Sequence, residues 1–512
     1  MIYAESGAPG KVGVNISDAL TAHARRRPHH PAVVWRGGQI DYLAFDRAVN
    51  GAALFLIENG VDRGDVVGVS LSDSPAYAAF LFAIPRMGAI VLPVDRRWTQ
   101  FEKGRVARHF GAELVLVEAN DPNIEGVSCC PIAEDFIALV QGEQRCVKPV
   151  REPNVPMVVS LSSGTTGRPR GPSITHENLF ARFMIYFLSL TINEHDRFAC
   201  TAPLYFGGGR ALSMCVLYAG GTLVLLPPPF RTDQLIREIV SHGCTSGMMV
   251  PTLIRRLMEL PDDGGPVLPA FRSLISTGSV LHPDERETAL ARISPRLFNF
   301  YGSTEGGGVA VLSPYHPAEK RASAGSIVFG TEMRIVDGEF CTLQPGEIGR
   351  ICYRSAGSAT SFFKDPDASA DAFRDGWYFP GDLGYLDTDG FLYITGREKE
   401  VINRGGVNVY PTEVETAILS HPAVTDAAVI DIPSKEFGEE VAAFVCAAQE
   451  LDLEQLRLHC MGRLAPYKVP RFFFRKDELP KTTVGKTDKR ALREELSLAA
   501  AGEGQSSSAR SK

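Results

Sequence analysis

The sequence lacks the patterns that mark several classes of protein. Its ten cysteines include the adjacent pair Cys129 and Cys130 but no CxxC pair and no metal-ligand spacing with histidines. This usage predicts reduced thiols in a cytoplasmic protein. Positive charge is not in excess, since the net charge is −7 and the lysines and arginines are scattered. We therefore expect no nucleic-acid partner.

Long apolar runs are also missing. The N-terminal residues have no basic region followed by an apolar stretch, so no secretory signal is expected. The most apolar region, residues 76–94, is interrupted by Pro85 and Arg86 and falls short of a membrane span. It predicts a buried helix that runs into a strand, in a soluble protein.

Alternating periodicity fills the first half of the chain. Helical patterns at residues 17–26, 42–59 and 75–87 alternate with short apolar runs such as 66–71 and 89–94. This order favours an α/β fold with parallel sheets covered by helices. A chain of 512 residues is also too long for a single core.

The pattern of residue types changes at two points along the chain. After residue 306, shorter segments separated by Gly, Pro and Asp predict antiparallel strands in a β-barrel-like part. A compositional break at 396–400 precedes a compact βα pattern. We predict a large N-terminal domain at 1–396, a small α+β C-terminal domain at 397–498, and a disordered tail at 499–512.

A loop rich in Gly, Ser and Thr carries the first functional signal. Residues 161–171 read LSSGTTGRPRG after a predicted strand. Glycines let backbone N–H groups turn inward, and hydroxyls and arginines add donors and charge, so the loop suits phosphate oxygens. It is not the G-x-x-x-x-G-K-[ST] loop. A Ser/Thr/Gly surface loop is the bland alternative.

The loop resembles the T-S-G-T-T-G-x-P-K-G segment of the adenylate-forming superfamily, which includes acyl-CoA synthetases and aryl-CoA ligases. Arg170 stands where lysine is usual, and the Thr175 to Asn178 segment is similar to the family's T-H-x-N. The resemblance implies that nucleotide phosphates are bound by Ser162, Ser163, Gly164, Thr165, Thr166, Gly167 and Arg170.

Two further segments are similar to family motifs. The sequence YGSTE, ending at Glu305, resembles Y-G-x-T-E, which implies that Tyr301 stacks on adenine and Thr304 contacts the α-phosphate. Glu305 would ligate the Mg²⁺ ion that screens the phosphates, since a carboxylate cannot approach a polyanion otherwise. Gly278, in a weaker match, would touch adenine and line the acyl pocket.

The nucleotide sugar and the hinge have matches in the C-terminal half. WYFPGD resembles W-Y-x-T-G-D, so Asp382 is the expected ribose ligand, although Pro380 replaces a usual threonine. By the same resemblance Arg397 also binds ribose, Lys399 is the hinge about which the small domain moves, and Gly406 borders the tunnel for coenzyme A.

The catalytic residue comes from a C-terminal loop. Residues 480–490, PKTTVGKTDKR, are similar to the family's P-x-x-x-x-G-K-x-x-R. The resemblance implies that Lys486 reaches the reacting carboxylate and the α-phosphate and stabilises the charge between them. A lone lysine is otherwise a solvated surface charge.

The acyl pocket is the part of the expected site that the motifs specify least. Residues 203–210, PLYFGGGR, resemble P-L-[FY]-H-x-x-G, which predicts a pocket formed by Tyr205, Phe206, Gly207, Arg210 and Gly278. Arg210 could bind a second anionic or polar group of the substrate or form an ion pair within the protein. No aspartate follows Phe206 closely, which argues against an amino-acid substrate.

Together these segments identify the chain as a member of the superfamily. We expect an ATP- and Mg²⁺-dependent acid–thiol ligase that forms an acyl-adenylate and then an acyl-CoA from a small carboxylic acid and coenzyme A. A ligase that loads a separate acyl carrier protein remains an alternative. A non-catalytic nucleotide- or acyl-binding protein is a second alternative of a different class.

Overall fold

The computed structural model describes nine stretches of the chain, residues 13–152, 154–161, 169–229, 231–261, 264–405, 407–434, 436–447, 450–482 and 486–496. The chain divides into two compact units, Met1–Met333 with Tyr353–Tyr378 and Arg334–Cys352 with Phe379–Lys512. The predicted boundary at residue 396 stays a prediction. The predicted tail at 499–512 lies outside the described residues.

The first unit contains eleven described α-helices: α1 (Asp18–Arg26), α2 (Tyr42–Glu58), α3 (Pro75–Arg86), α4 (Gln100–Phe110), α5 (Phe136–Val140), α6 (His176–Leu190), α7 (Gly207–Ala219), α8 (Thr232–Ser241), α9 (Pro251–Met258), α10 (Pro283–Arg292) and α11 (Pro366–Ala372).

The strands described in the first unit are β1 (Pro31–Trp35), β2 (Gly38–Asp41), β3 (Val66–Ser70), β4 (Ile90–Pro93), β5 (Ala112–Glu118), β6 (Cys129–Ile132), β7 (Pro156–Val159), β8 (Ser173–Thr175), β9 (Arg197–Cys200), β10 (Thr222–Leu225), β11 (Ser246–Met249), β12 (Ser273–Ser276), β13 (Leu297–Ser303), β14 (Gly307–Leu312) and β15 (Gly325–Ile327). The unit boundaries fall inside β16 (Thr331–Val336) and β17 (Gly349–Ser355), and the first unit also holds β18 (Phe373–Arg374) and β19 (Trp377–Tyr378).

The second unit contains β20 (Asp382–Leu386), β21 (Phe391–Arg397), β22 (Ile402–Arg404), β23 (Val407–Val409), α12 (Pro411–Leu419), β24 (Val424–Ser434), β25 (Gly438–Ala447), α13 (Leu453–Met461) and β26 (Phe472–Arg475). Residues 489–496 are helical. Short 3₁₀ turns lie at Ala318–Lys320, Glu398–Glu400 and Pro466–Lys468.

Two sheets organise the first unit and confirm the predicted α/β class. One has the strand order β15-β14-β13-β12-β11-β9-β10-β1-β2, parallel from β13 to β1 and antiparallel at both ends. The other has the order β6-β5-β3-β4-β7-β8, parallel except for β7 and β8. Helices follow most of the parallel strands, as covered sheets require.

The apolar region at residues 76–94 forms the predicted buried helix and strand. Ser74 accepts a hydrogen bond from the Tyr77 amide and caps α3, and every residue of α3 and of β4 is buried. Pro85 lies inside the helix. In the parts of the chain that the structure describes, no helix is both long enough and apolar enough to cross a bilayer.

A smaller sheet forms the core of the second unit. Its order is β23-β22-β25-β24, antiparallel throughout, and β26 joins β25 in parallel. Helices α12 and α13 pack their apolar residues into this core. The antiparallel strands predicted after residue 306 are confirmed by the hairpin of β20 and β21.

Candidate active site

The predicted residues of the first unit follow the carboxyl ends of neighbouring strands. Strands β9, β11, β12 and β13 are mutually parallel. Their carboxyl ends therefore lie at one edge of the sheet, where ligands bind in open α/β sheets. Tyr205 to Arg210 follow β9, Gly278 follows β12, and Thr304 and Glu305 follow β13.

Close approaches confirm that these segments meet. A Cβ atom placed on Gly207 would lie 3.8 Å from Thr304 Oγ1 and 3.4 Å from Ser160 Oγ. A Cβ atom on Gly278, where φ is +101°, would lie 4.0 Å from Phe206 Cζ. Three of the predicted segments thus surround one space. Gly207 and Gly278 keep this space open because they have no side chains.

The predicted phosphate loop begins next to this space. Ser160 follows β7 and is buried. The predicted ligands Ser162, Ser163, Gly164, Thr165, Thr166 and Gly167 lie outside the described residues. Arg170 is described, and its Nε lies 3.9 Å from Asp365 Oδ2. The phosphate-binding role of these residues stays a prediction.

Glu305 is held by groups that come from distant parts of the first unit. Its side chain is buried, with the residue 7% exposed. Arg182 Nη2 of α6 donates to the Glu305 carbonyl at 2.9 Å. The Tyr378 hydroxyl lies near the Glu305 carboxylate. Burial, followed by the charge of Glu305, holds the pKa of Tyr378 well above its ordinary value, so the hydroxyl stays protonated.

The turn that presents Thr304 and Glu305 is tight. The Ser303 hydroxyl accepts from the Gly306 amide at 2.8 Å and lies 2.9 Å from the Tyr353 hydroxyl. A Cβ atom on Gly306 would collide with the Tyr353 ring, and one on Gly302 would collide with the Gly307 carbonyl. These glycines are required because the two strands and Tyr353 approach each other so closely.

Tyr205 is fixed by a charged pair at its hydroxyl. Asp95 accepts from Arg97 Nη2 at 2.8 Å, and Arg97 in turn donates to the Tyr205 hydroxyl. The guanidinium lies 5.4 Å from the centre of the Tyr205 ring. Burial and the negative charge of Asp95 raise the pKa of Tyr205 to about 12. The adjacent Leu204 amide donates to Asp73 at 2.9 Å.

Arg210 links two parts of the candidate site. Its side chain donates to the Ser160 hydroxyl and, at 3.0 Å, to the Tyr205 carbonyl. It is only 4% exposed, and burial lowers its pKa to about 10. Among the residues that the structure describes, its hydrogen-bond partners are neutral oxygens, and none of their carboxylates forms an ion pair with it. The substrate-binding role of Arg210 stays a prediction.

The second unit holds the other predicted residues. Asp382 and Arg397 are paired in register on β20 and β21, and Arg397 Nε lies 3.2 Å from Asp382 Oδ1. Lys399 is exposed in the 3₁₀ turn Glu398–Glu400. Gly406 lies outside the described residues.

Lys486 lies on a loop with a fixed base. It is exposed, its carbonyl accepts from the Thr482 amide at 2.7 Å, and its amide donates to the Thr482 hydroxyl at 3.2 Å. Two hydrogen bonds thus join Lys486 to Thr482, and Lys486 is exposed. The roles predicted for Lys399, Gly406 and Lys486 stay predictions.

Three residues to which the sequence analysis assigned no role lie around the site. Arg182 donates to the Glu305 carbonyl, Tyr378 lies near the Glu305 carboxylate, and the Asn178 amide donates to the carbonyls of Ala356 and Ser358 at 2.9 Å each. Arg182 had a sequence signal, since it is a lone arginine among the apolar residues of α6. Such a residue is rarely buried unless it binds something.

Two known protein families match the chain. The profile of the family described as AMP-binding enzyme matches residues 20–363, and that of the AMP-binding enzyme C-terminal domain matches residues 413–486. The first match covers most of the first unit. The second lies within the second unit and ends at Lys486.

Individual relatives are similar along nearly the whole chain. Sulfoacetate–CoA ligase of Cupriavidus necator is 29% identical over 85% of this chain and 88% of its own. Fatty acid–[acyl-carrier-protein] ligase ScoC of Streptomyces coeruleorubidus is 29% identical over 92% of this chain and 94% of its own. O-succinylbenzoate coenzyme A synthetase of Bacillus subtilis, solved with ATP and a magnesium ion, has a TM-score of 0.82 at 26% identity, covering 94% and 99% of the two chains.

Proposed function

The chain belongs to the AMP-binding enzyme family, and on this premise we propose that it is an ATP-dependent ligase of a carboxylic acid and coenzyme A. The acid attacks the α-phosphate of ATP, pyrophosphate leaves, and the acyl group passes from AMP to the thiol. The similarity to coenzyme A ligases supports this acceptor. The observation that carries the proposal is the placement of Thr304 beside Gly207 at the carboxyl edge of the sheet.

Glu305 suits the Mg²⁺ ion that accompanies ATP. Among the residues that the structure describes, no group of three or more His, Cys, Asp or Glu side chains could hold a metal ion. Mg²⁺ usually takes one or two protein carboxylates and completes its shell with phosphates and water. The buried carboxylate of Glu305 fits that need. The ion would supply a positive charge that screens the phosphates.

The remaining nucleotide ligands are assigned by chemistry. Asp382 offers two carboxylate oxygens to the vicinal hydroxyls of ribose, and Arg397 beside it orients that carboxylate. Thr304 offers a hydroxyl to the α-phosphate. Arg170 and the loop that precedes it offer donors to the outer phosphates.

Lys486 is the residue to which we assign the adenylation chemistry. The attacking carboxylate and the α-phosphate are both anionic, so their approach must be assisted by a positive charge. An ammonium that contacts both lowers their repulsion and stabilises the charge that develops in the transition state. Lys399 is assigned as the hinge that lets Lys486 withdraw before thiol transfer, a motion typical of two-step sites.

The acyl pocket supports an acid with an apolar body. Phe206 provides an aromatic wall near Gly278, and a Cβ atom on Gly278 would lie 3.8 Å from Val250 Cγ1. The guanidinium of Arg210 is already bonded to Ser160 and to backbone carbonyls. We therefore propose a ring or short chain next to the carboxylate rather than a second anionic group.

A carrier protein is the second candidate acceptor. The similarity to a fatty acid–[acyl-carrier-protein] ligase favours it. Its phosphopantetheine thiol would replace the thiol of coenzyme A, while the adenylation step would be unchanged. Adding free coenzyme A separates the two acceptors, since a carrier-dependent ligase would form adenylate but transfer nothing to free coenzyme A.

The test is Mg-ATP-dependent pyrophosphate release over a panel of aryl, short-chain, medium-chain and dicarboxylic acids, each with and without coenzyme A. We expect release with aryl or apolar acids and acyl-CoA only when coenzyme A is present. Lys486→Ala should lose pyrophosphate release. Lys476→Ala, which breaks a surface ion pair with Glu495, is the matched control and should retain it. ATP binding without pyrophosphate release by the unmodified chain would contradict the proposal.

A further inference from the structure

A three-membered charge cluster lies just beyond the loop that carries Lys486. Lys489 Nζ lies 3.0 Å from Glu400 Oε2 and 2.8 Å from Glu415 Oε1. The Lys489 side chain is only 16% exposed and that of Glu415 15%. The cluster is thus more enclosed than an ordinary surface ion pair, which contributes little.

The two carboxylates belong to different elements of the second unit. Glu400 ends the 3₁₀ turn in which Lys399 lies. Glu415 belongs to α12, and its Oε1 also accepts from the Val429 amide of β24 at 2.8 Å. Glu415 is therefore tied to the central sheet of the second unit. Lys489 joins that fixed point to the turn of the proposed hinge.

Lys489 also ends the loop of the proposed catalytic lysine. The Asp488 amide donates to the Pro480 carbonyl at 2.8 Å, which closes the loop at its base. The Asp488 carboxylate accepts from the amides of Arg490 and Ala491 at 3.1 Å each, at the start of the helical stretch 489–496. Lys489 therefore directly follows the residue that closes the base of this loop.

The charges of the cluster depend on each other. Burial alone would lower the pKa of Lys489, but Glu415 and Glu400 raise it above the ordinary value. Burial alone would raise the pKa of Glu400, but Lys489 lowers it, with smaller effects of Arg397 and Arg493. Removing the ammonium would leave two enclosed carboxylates facing one another, which is costly in a partly buried site.

We propose that Lys489 is a positioning residue for adenylation, which holds the loop of Lys486 to the hinge turn and to α12 through Glu400 and Glu415. Lys489 itself touches neither nucleotide nor acid in this role. The inference rests on the proposed function, because it takes Lys486 as the catalytic ammonium. Its consequence is that the geometry of the catalytic loop and of the hinge turn are linked by one side chain.

The experiment compares Lys489→Met, Lys489→Arg and Lys489→Met/Glu400→Gln in ATP–pyrophosphate exchange. Lys489→Met should lower kcat by about tenfold to a hundredfold, since a small displacement of a catalytic group is enough for such a loss. KM for ATP should stay within about twofold, because no nucleotide ligand is changed. Lys489→Arg should recover most of kcat, and the added Glu400→Gln should recover part.

The control is Lys476→Met, which removes the ion-pair partner of Glu495 in the same unit and should leave kcat unchanged. Wild-type kcat in folded Lys489→Met would overturn the inference, as would a fall in kcat that neither Lys489→Arg nor the added Glu400→Gln restores. If Lys489→Met does not fold, a Lys489→Arg variant with a tenfold loss of kcat would overturn it. Exchange activity of the unmodified chain separates these results from failure of the proposed function, which would abolish exchange in every variant.

Discussion

Replacing Tyr378 with phenylalanine removes one oxygen atom from the candidate site and leaves the ring in place. Tyr378 and Glu305 are each 7% exposed, and the Tyr378 hydroxyl lies near the Glu305 carboxylate. The variant therefore takes a polar neighbour away from a buried carboxylate. If Glu305 is the metal ligand, we expect its position toward Mg-ATP to depend on this neighbour.

The expected magnitude follows from the hydrogen bond that a neighbouring hydroxyl can donate to a carboxylate. A hydrogen bond to a charged group contributes about 1.5–3 kcal/mol. Since about 1.4 kcal/mol is a factor of ten, Tyr378→Phe should lower kcat/KM for Mg-ATP by about tenfold to a hundredfold. A higher Mg²⁺ concentration should recover part of this loss, because it restores occupancy of a weakened site.

ATP–pyrophosphate exchange at several Mg²⁺ concentrations measures the effect, with circular dichroism to verify folding. Tyr385→Phe is the matched control, since its ring stacks on Tyr393 at 4.8 Å in the hairpin of β20 and β21 and the ring survives the change. It should stay within about twofold of the unmodified chain. Equal activities of the two variants would refute a role of Tyr378 in holding Glu305.

Three further predictions concern other parts of the molecule. Gly207→Ala places a methyl group 3.8 Å from Thr304, an ordinary contact distance, and should raise KM for bulky acids without changing stability. In Gly209→Ala the new methyl group would lie 2.8 Å from the Ala202 carbonyl. This variant should lower the free energy of unfolding, measured by urea denaturation, by about 1–3 kcal/mol. Asp382→Asn should weaken AMP binding about tenfold in calorimetry, because ribose loses a charged acceptor. Burial lowers the pKa of His176 to about 4, so its imidazole is neutral in the folded protein and protonated in the unfolded chain between about pH 6.5 and 4. Stability should therefore fall as pH falls through that range, by up to about 3 kcal/mol, and His176→Gln should flatten the dependence.

The alternation of apolar segments predicted the fold class well. Residues 76–94 are mostly apolar, with an interruption at Pro85 and Arg86. This pattern predicts a buried helix followed by a strand. The order β9, β11, β12 and β13 within one sheet was not predictable. It depends on which strands pair across the chain, and no local pattern carries that information.

The candidate site was predicted as separate segments rather than as contacts. The motifs identified Gly278, Thr304, Glu305, Asp382 and Arg397 by resemblance alone, and their neighbours came from the structure. Such neighbours lie far away in sequence, since Arg182 reaches a carbonyl 123 residues later. A resemblance names the residues that meet the ligand, but the residues that hold them are set by packing.

Arg210 illustrates why the rest could not be foreseen. The sequence left open whether its charge meets a substrate anion or a protein carboxylate. Its position in the first turn of α7 directs it inward, where it finds the Ser160 hydroxyl and two backbone carbonyls. Neutral acceptors of this kind leave no trace in the sequence, because every residue carries a carbonyl.

The most direct test of the central claim is the identity of the products. The chain is incubated with Mg-ATP, coenzyme A and the acid that gives the fastest turnover, and the nucleotides and thioesters are separated and quantified. The proposed function predicts AMP, pyrophosphate and acyl-CoA in equal amounts, with none of them formed when the acid is left out. Formation of ADP and phosphate, or ATP that remains unchanged with every acid of the panel, would contradict it.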